Sequence, residues 1–158
     1  MKSVFFVLLF IFFATAAYCQ KNLISYDDIK YLLHNNLFRA DTSLTAKGYS
    51  ITKKDNDNKN RRYYLSLSEG TQNDIHLRAD GKRLFIEIET NNLGQYNLIR
   101  ESIVEYINKE AAADNIQAYS VKDMGNIYIT INDTVPYSPV RKDYDIQIVG
   151  NKHITAYD

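Results

Sequence analysis

Apolar residues recur at helical spacing in two parts of the chain. Ser25 suits a helix N-cap, and the apolar stripe that follows predicts a helix over Tyr26–Leu37. Ser43–Lys47 is predicted as a second, short helix that ends at Gly48, because glycine readily adopts the left-handed conformation found after helices. A broad apolar arc over Gln95–Ala112 predicts another amphipathic helix.

Alternation of apolar and polar residues, or a run of strand-forming residues beside a turn, predicts the strands. The predicted strands are Tyr49–Lys53, Arg62–Ser68, Ile75–Ala79, Lys82–Thr90, Ile116–Val121, Ile127–Asn132 and Tyr144–Val149. Their short connections predict antiparallel pairing. We therefore expect an α+β fold, with a mostly antiparallel sheet of six to seven strands and two helices packed on one face. The other face should be polar and wet, and residues 20–158 should form a single domain.

The dipeptide Asp80-Gly81 predicts a tight hairpin between two of these strands. The resulting pairs would be Ala79 with Lys82, Leu77 with Leu84, and Ile75 with Ile86, with His76 facing Phe85 on the opposite side. All the apolar residues then share one face, which a slip of one residue would destroy.

The first residues have the order of a secretory signal peptide. Lys2 gives a positive start, Val4–Phe13 is an unbroken apolar run, and small residues follow. The run is shorter than the roughly 20 apolar residues that cross a bilayer. We predict a signal peptide over residues 1–19, cleaved after Cys19 in preference to Ala17. The protein would then be periplasmic or secreted, without a membrane span.

Cys19 is the only cysteine of the chain. The alternative to cleavage after it is a bacterial lipoprotein with Cys19 as the lipidated residue, which is less favoured because Tyr18, a large residue, precedes it. If cleavage removes Cys19, the remaining chain has no disulfide, no cysteine nucleophile and no thiolate metal site.

Charge and composition narrow the possible partners. The chain has 19 basic and 19 acidic residues. Since nucleic-acid-binding proteins usually carry a basic excess or stripe, we expect no nucleic-acid partner. The one basic cluster, Lys59–Arg62, follows an Asn/Asp-rich loop and is interpreted as a solvated turn. The 13 tyrosines suit a half-buried sheet, and they are also typical of binding faces.

The sequence contains no motif for catalysis or metal binding. His34, His76 and His153 are far apart and form neither HxH nor HExxH. There is no GxSxG element, and the six glycines are scattered rather than grouped in a phosphate-binding loop. We therefore predict no catalytic residue, no metal site and no cofactor.

The most informative grouping lies on the predicted polar face of the sheet. Its members are Tyr64, His76, Arg78, Phe85, Glu87, Glu89 and Tyr128. Glu87 and Glu89 would lie about 7 Å apart by strand rise, a separation at which glycosidases use paired carboxylates. An open sheet offers no desolvated cleft, so a solvated face is favoured over catalysis. Phe85 fits either a contact patch or packing under the loop that contains Pro136 and Pro139.

Three segments are similar to a loose group of small exported proteins from Bacteroidota-type bacteria. They are Asp27–Leu33, Ala46–Tyr49 and Tyr144–Ile148, and the Phe-rich leader is similar too. The likeness extends over most of the chain after the leader, and its motifs mostly reflect core spacing. The resemblance implies a compartment and an architecture, and it carries no activity, cofactor or catalytic residue.

These observations favour a non-enzymatic binding module of the envelope or the secreted fraction. It would bind a protein or small-molecule partner through its sheet face or a sheet edge. The alternative is a small hydrolase that uses His76 with Glu87 or Glu89, which requires a cleft that brings these side chains within hydrogen-bond reach. A structural or inhibitory protein that blocks a neighbour's site is the third hypothesis.

Overall fold

The computed structural model describes residues 22–55, 59–80, 83–113, 115–134 and 141–151. The helices are α1 (Tyr26–Leu33), α2 (Leu37–Ala46) and α3 (Leu93–Ile103). The strands are β1 (Ser50–Lys54), β2 (Asn60–Ser66), β3 (Gln72–Asp80), β4 (Arg83–Thr90), β5 (Ile116–Val121), β6 (Gly125–Thr134) and β7 (Arg141–Gly150). The predicted signal peptide, the loop with Pro136 and Pro139, and the tail with His153 lie outside the described residues.

One sheet contains all seven strands, in the order β1-β2-β3-β4-β7-β6-β5. Every neighbouring pair is antiparallel. The first four strands follow one another as a meander, and the last three return so that β7 pairs with β4. The predicted α+β fold with an antiparallel sheet is confirmed. The described residues contain three helices, whereas the predicted architecture had two packed on one face and a short one at Ser43–Lys47.

Alternate strand positions place their side chains on one buried face, referred to below as the inner face. Its members include Tyr63, Ile75, Leu77, Leu84, Ile86, Ile88, Ile127, Ile129, Ile146 and Ile148. Buried helix residues such as Ile29, Leu44 and Ile99 belong to the same core. Tyr96 of α3 stacks on Tyr144 of β7, with ring centroids 4.3 Å apart. Burial of these side chains is the main favourable contribution to folding.

A buried hydrogen-bond network joins the segment before α1 to α3. Gln95 is fully buried, and its Nε2 donates to the carbonyl oxygen of Ile24 at 2.8 Å. Its Oε1 accepts from the backbone amide of Ile24 at 2.8 Å and from Nδ2 of Asn73 at 2.9 Å. One side chain therefore satisfies both backbone groups of Ile24, which have no water available in the core.

Asn73 extends this network into the sheet. Its Nδ2 also donates to the hydroxyl of Tyr49 at 2.8 Å, and its Oδ1 accepts from the hydroxyl of Thr90 at 2.5 Å. Burial raises the pKa of Tyr49 well above its ordinary value of 10.0 and keeps the phenol neutral. Ile24, Tyr49, Asn73, Thr90 and Gln95 form what is referred to below as the Gln95 network.

The β3–β4 hairpin has a register that differs by two residues from the predicted one. The observed pairs are Asp80 with Arg83, Ala79 with Leu84, Leu77 with Ile86, and Ile75 with Ile88. A shift of two keeps the apolar residues on one face. The predicted register would have set Arg78 opposite Arg83, and like charges in direct opposition are unfavourable. The observed register sets Asp80 opposite Arg83 instead. The observed register also sets Thr90 opposite Asn73, as the Gln95 network requires.

The single helix predicted over Tyr26–Leu37 is wrong, because α1 ends at Leu33 and α2 begins at Leu37. Asn36 caps α2 by accepting a hydrogen bond from the backbone amide of Arg39 at 3.0 Å. Asparagine side chains compete with helix backbone bonds in this way. The short helix predicted at Ser43–Lys47 is the C-terminal part of α2 and the residue that follows it.

Two predicted helix-end signals are confirmed. Ser25 caps α1 in a capping box with Asp28, in which each side chain bonds the other residue's backbone amide. Gly48 follows α2 with a φ of 94°, a conformation that favours glycine.

The helix predicted over Gln95–Ala112 is shorter than expected. It ends at Ile103, and after a 3-10 turn the backbone of Ile107 bridges to Tyr119 of β5. The amide of Asn108 donates to the carbonyl of Ala118 at 2.7 Å. Backbone pairing with the edge of β5 thus takes the place of further helical turns. Val104, Tyr106 and Ile107 were expected on the apolar arc and are exposed.

We expect Gln95→Leu to lower the free energy of unfolding by about 3 kcal/mol, because a side chain of similar size leaves buried backbone groups of Ile24 without partners. Chemical denaturation followed by circular dichroism measures this loss. Asn97→Ala, on the same helix and outside the network, should change stability by less than about 0.5 kcal/mol. Equal losses in the two variants would contradict the role of the network.

Candidate functional site

The sheet face opposite the core, referred to below as the outer face, carries all seven residues of the predicted group. Cross-strand pairing arranges this face in three rows. They are Asn60, Arg78, Phe85, Val149 and Asn126; then Arg62, His76, Glu87, Gln147 and Tyr128; then Tyr64, Asp74, Glu89, Asp145 and Thr130. The seven predicted residues share this face because side chains alternate between the two faces along each strand.

Arg78 and Phe85 lie directly opposite each other on β3 and β4. The guanidinium carbon of Arg78 lies 5.0 Å from the centroid of the Phe85 ring, a cation–π arrangement. The expected pairing of His76 with Phe85 is therefore wrong, because the register of the hairpin differs by two residues.

His76 is instead opposite Glu87. Its Nδ1 lies 3.5 Å from Oε2 of Glu87, and about a third of each side chain is exposed. Gln147 of β7 donates from Nε2 to Oε1 of Glu87 at 3.4 Å and to Oδ2 of Asp145 at 2.8 Å. An imidazole, a carboxylate and an amide thus form a row across three strands.

A shallow hollow of about 290 Å³ lies beside these two pairs. Its lining, referred to below as the Arg78 concavity, includes the side chains of His76, Arg78, Phe85, Glu87, Gln147 and Val149. It combines one aromatic ring, one guanidinium and several hydrogen-bonding groups on an open surface. Such a lining is suited to binding, because a few polar groups orient a ligand against apolar ones.

The third row gives the outer face an acidic end. Glu89 lies opposite both Asp74 and Asp145, and Arg62 bridges two of the three carboxylates, at 2.8 Å from Asp74 and 3.2 Å from Glu89. Burial and the charge of Glu87 raise the pKa of Glu89. Partial burial and repulsion from Glu87 thus disfavour the charged form of Glu89.

Asp145 is the most constrained of these carboxylates. Burial raises its pKa, the hydrogen bond from Gln147 works in the opposite direction, and the charge of Glu87 raises it further. Its Oδ1 is buried and has no hydrogen-bond partner among the described residues. The carboxylate is therefore more easily protonated than an ordinary aspartate.

The predicted residues separate into three places on the outer face. His76, Arg78, Phe85 and Glu87 meet at the Arg78 concavity, and Glu89 belongs to the acidic end. Tyr64 and Tyr128 share the face but do not line the Arg78 concavity. The Tyr64 hydroxyl donates to Gln72 at 3.2 Å. Glu87 and Glu89 do not act as a pair, because one contacts His76 and Gln147 while the other contacts Arg62.

Sequence reasoning missed the contribution of β7. Asp145, Gln147 and Val149 reach the site only because β7 pairs with β4, across some 60 positions of sequence. The alternation within Tyr144–Val149 would have placed these three residues on the polar face. This alternation carries no information on which strand lies beside β7.

Other parts of the described chain offer less chemistry. A larger hollow of about 770 Å³ lies between α3 and the β2–β3 connection, and Glu101 is its one titratable lining residue. Within the described ranges, no group of three or more histidine, aspartate or glutamate side chains could hold a metal ion. None of the helices described is long and apolar enough to cross a bilayer.

Comparisons of the chain with protein-family models, with curated proteins and with solved structures found no significant match. The resemblance to exported Bacteroidota-type proteins therefore stays a prediction.

We expect Asp145→Asn to raise the melting temperature at neutral pH, because it removes a partly buried charge beside Glu87. The folded-state pKa of Asp145 lies above its ordinary value of 3.8. The stability that protonation gives the wild type is fully present below 3.8 and is lost as pH rises through the folded-state pKa. The advantage of the variant should therefore shrink as the melts are repeated at falling pH.

Asp41→Asn should have the opposite effect on stability, because the pKa of Asp41 is lowered rather than raised. Burial alone would raise the pKa of Asp41, but hydrogen bonds from Lys54 and Tyr63 outweigh it and lower the pKa. This variant should melt lower than wild type at neutral pH, and the deficit should disappear as pH falls through the lowered pKa. A lower melting temperature for Asp145→Asn at neutral pH would contradict the description of the acidic end.

Proposed function

We propose that the protein is an exported, non-enzymatic binding module that contacts its partner through the outer face, around the Arg78 concavity. The observation that carries this proposal is the cation–π contact of Arg78 with Phe85 beside an open hollow. Arginine and aromatic side chains are the residue types that most often dominate binding energy.

The core packed beneath this surface supports the same proposal. Every strand that contributes to the Arg78 concavity packs its alternate side chains into the core on the other face. A surface held by a packed core loses little conformational entropy when a partner binds. Arg78 and Phe85 also restrain each other, so their side chains are partly ordered before contact.

The geometry favours binding over hydrolysis. His76 and Glu87 approach within 3.5 Å, but each side chain is about one-third exposed to water. An acid–base pair gains catalytic strength from desolvation, which an open sheet does not provide. Glu89, the other carboxylate of the hydrolase hypothesis, is engaged by Arg62 rather than by His76.

Export is proposed from the leader alone. The apolar run of residues 4–13, with Lys2 before it and small residues after it, is typical of a cleaved signal peptide. Intact-mass spectrometry of protein from the native host distinguishes loss of residues 1–19 from retention of the leader or from lipidation at Cys19.

We expect Phe85→Ala to weaken partner binding at least about tenfold, as truncation of an interface hot spot does. The partner is captured from native envelope or secreted material by crosslinking, identified, and then titrated against purified variants.

Phe38→Ala is the matched control, because Phe38 is 77% exposed and lies on α2 rather than on a strand of the sheet. It should bind the identified partner as wild type does. Equal affinity of Phe85→Ala and wild type, with an unchanged circular dichroism spectrum, would overturn the proposal.

A further inference from the structure

The two arginines of the outer face have different surroundings. Arg62 is neutralised by Asp74 and Glu89, at 2.8 Å and 3.2 Å. Arg78 has no carboxylate within ion-pair distance in the described part of the chain; its described contact is the ring of Phe85. Arg78 is therefore an exposed charged group whose N–H donors make no hydrogen bond within the described residues.

The contact with Phe85 prepares this guanidinium for a specific kind of ligand. The Phe85 ring beside the guanidinium restricts its movement and leaves the N–H donors along its edge available. That edge matches the two oxygens of a carboxylate, and the resulting paired hydrogen bonds are among the strongest in proteins.

We propose that the Arg78 concavity binds a ligand through a carboxylate on Arg78, with an apolar or planar body of the ligand lying against Phe85 and Val149. The inference rests on the proposed function and names the chemistry of its ligand. Val149 lies directly opposite Phe85 on β7, so the two side chains form an apolar floor next to the guanidinium.

The neighbouring charges select among anions. Glu87 lines the same hollow, and Glu89 and Asp145 occupy the next row. Like charges repel over such distances, and the repulsion grows with the charge of the ligand. A singly charged carboxylate is therefore favoured over a phosphate, which carries close to two charges. The contact of Glu87 with Gln147, and with His76 when that imidazole is protonated, reduces this repulsion.

A carboxylate of this kind can belong to a free organic acid or to the C-terminus of a partner chain. Two pairs of probes separate these sources and test the charge requirement. The first pair is benzoate and its neutral counterpart benzamide. The second pair is the peptide acetyl-Gly-Gly-Phe with a free C-terminal carboxylate and the same peptide as its C-terminal amide.

Titration of the isotope-labelled protein, followed by NMR chemical shifts, gives affinity and location together. At least one acid should produce saturable shifts centred on Arg78, Phe85 and Val149, and should bind at least about tenfold more tightly than its amide, as expected for a hydrogen bond to a charged group. Preference for benzoate assigns a small-molecule source, and preference for the peptide acid assigns a chain terminus.

Arg78→Gln should abolish the preference for the acid while keeping the fold. Arg39→Gln is the matched control, since Arg39 is exposed on α2 and bonds only neighbouring residues in the described chain. It should leave both affinities unchanged. Equal binding of acid and amide, an unchanged ratio in Arg78→Gln, or no saturable shift with any probe would overturn the carboxylate inference.

Failure of this inference and failure of the proposed function give different results. If wild type binds the acids and the amides equally and Phe85→Ala weakens both, the outer face binds ligands and only the carboxylate requirement is wrong. If the identified partner binds Phe85→Ala as tightly as wild type, the outer face is not the binding site and both proposals fail.

Discussion

Two buried side-chain amides, those of Gln95 and Asn73, hold the elements of this protein in register. Apolar burial supplies most of the favourable free energy, but a sheet slipped by two residues would bury nearly the same side chains. A buried amide without a partner costs about 1–3 kcal/mol, so the network does not tolerate that slip. Asn73 requires Thr90 opposite it, and Gln95 requires the backbone of Ile24.

The register set by the inner face determines the chemistry of the outer face. The same pairing that brings Thr90 to Asn73 brings Phe85 to Arg78 and Glu87 to His76. Each strand position on one side of the sheet fixes its neighbours on the other, because side chains alternate strictly along a strand. The proposed binding surface is therefore a consequence of the buried network as much as of the exposed residues themselves.

Local patterns in the sequence predicted the strands and the face of each side chain. Ile75, Leu77 and Ile86 alternate with polar residues, and this alternation alone assigns His76, Arg78 and Glu87 to the other face. The order of strands depends on contacts between distant segments, so the pairing of Gln147 with Glu87 had no local signal. Gln95 likewise resembled an ordinary polar residue near a helix start, and its buried role depends on Ile24, 71 positions earlier.

The helix predictions failed where local hydrogen bonds compete with the helix. Asn36 caps α2, so the single helix predicted to run through this position is interrupted there. Asparagine is a favoured N-cap residue, and its presence could have suggested this break. The third helix does not extend to Ile107, because the backbone of Ile107 pairs with Tyr119 of β5. The apolar spacing of Val104 and Ile107 fits a helix. Only the position of β5 in the folded chain shows that this segment is not helical.

The central claim is that the Gln95 network is part of the cooperative core, so that the segment before α1 opens only when the whole domain unfolds. Native-state hydrogen exchange at the amide of Ile24, which donates to the side chain of Gln95, tests this directly. The account predicts the same opening free energy for Ile24 as for the central strand residues Ile86 and Ile148. Exchange of Ile24 through a low-energy local opening, while the strands stay protected, would contradict it.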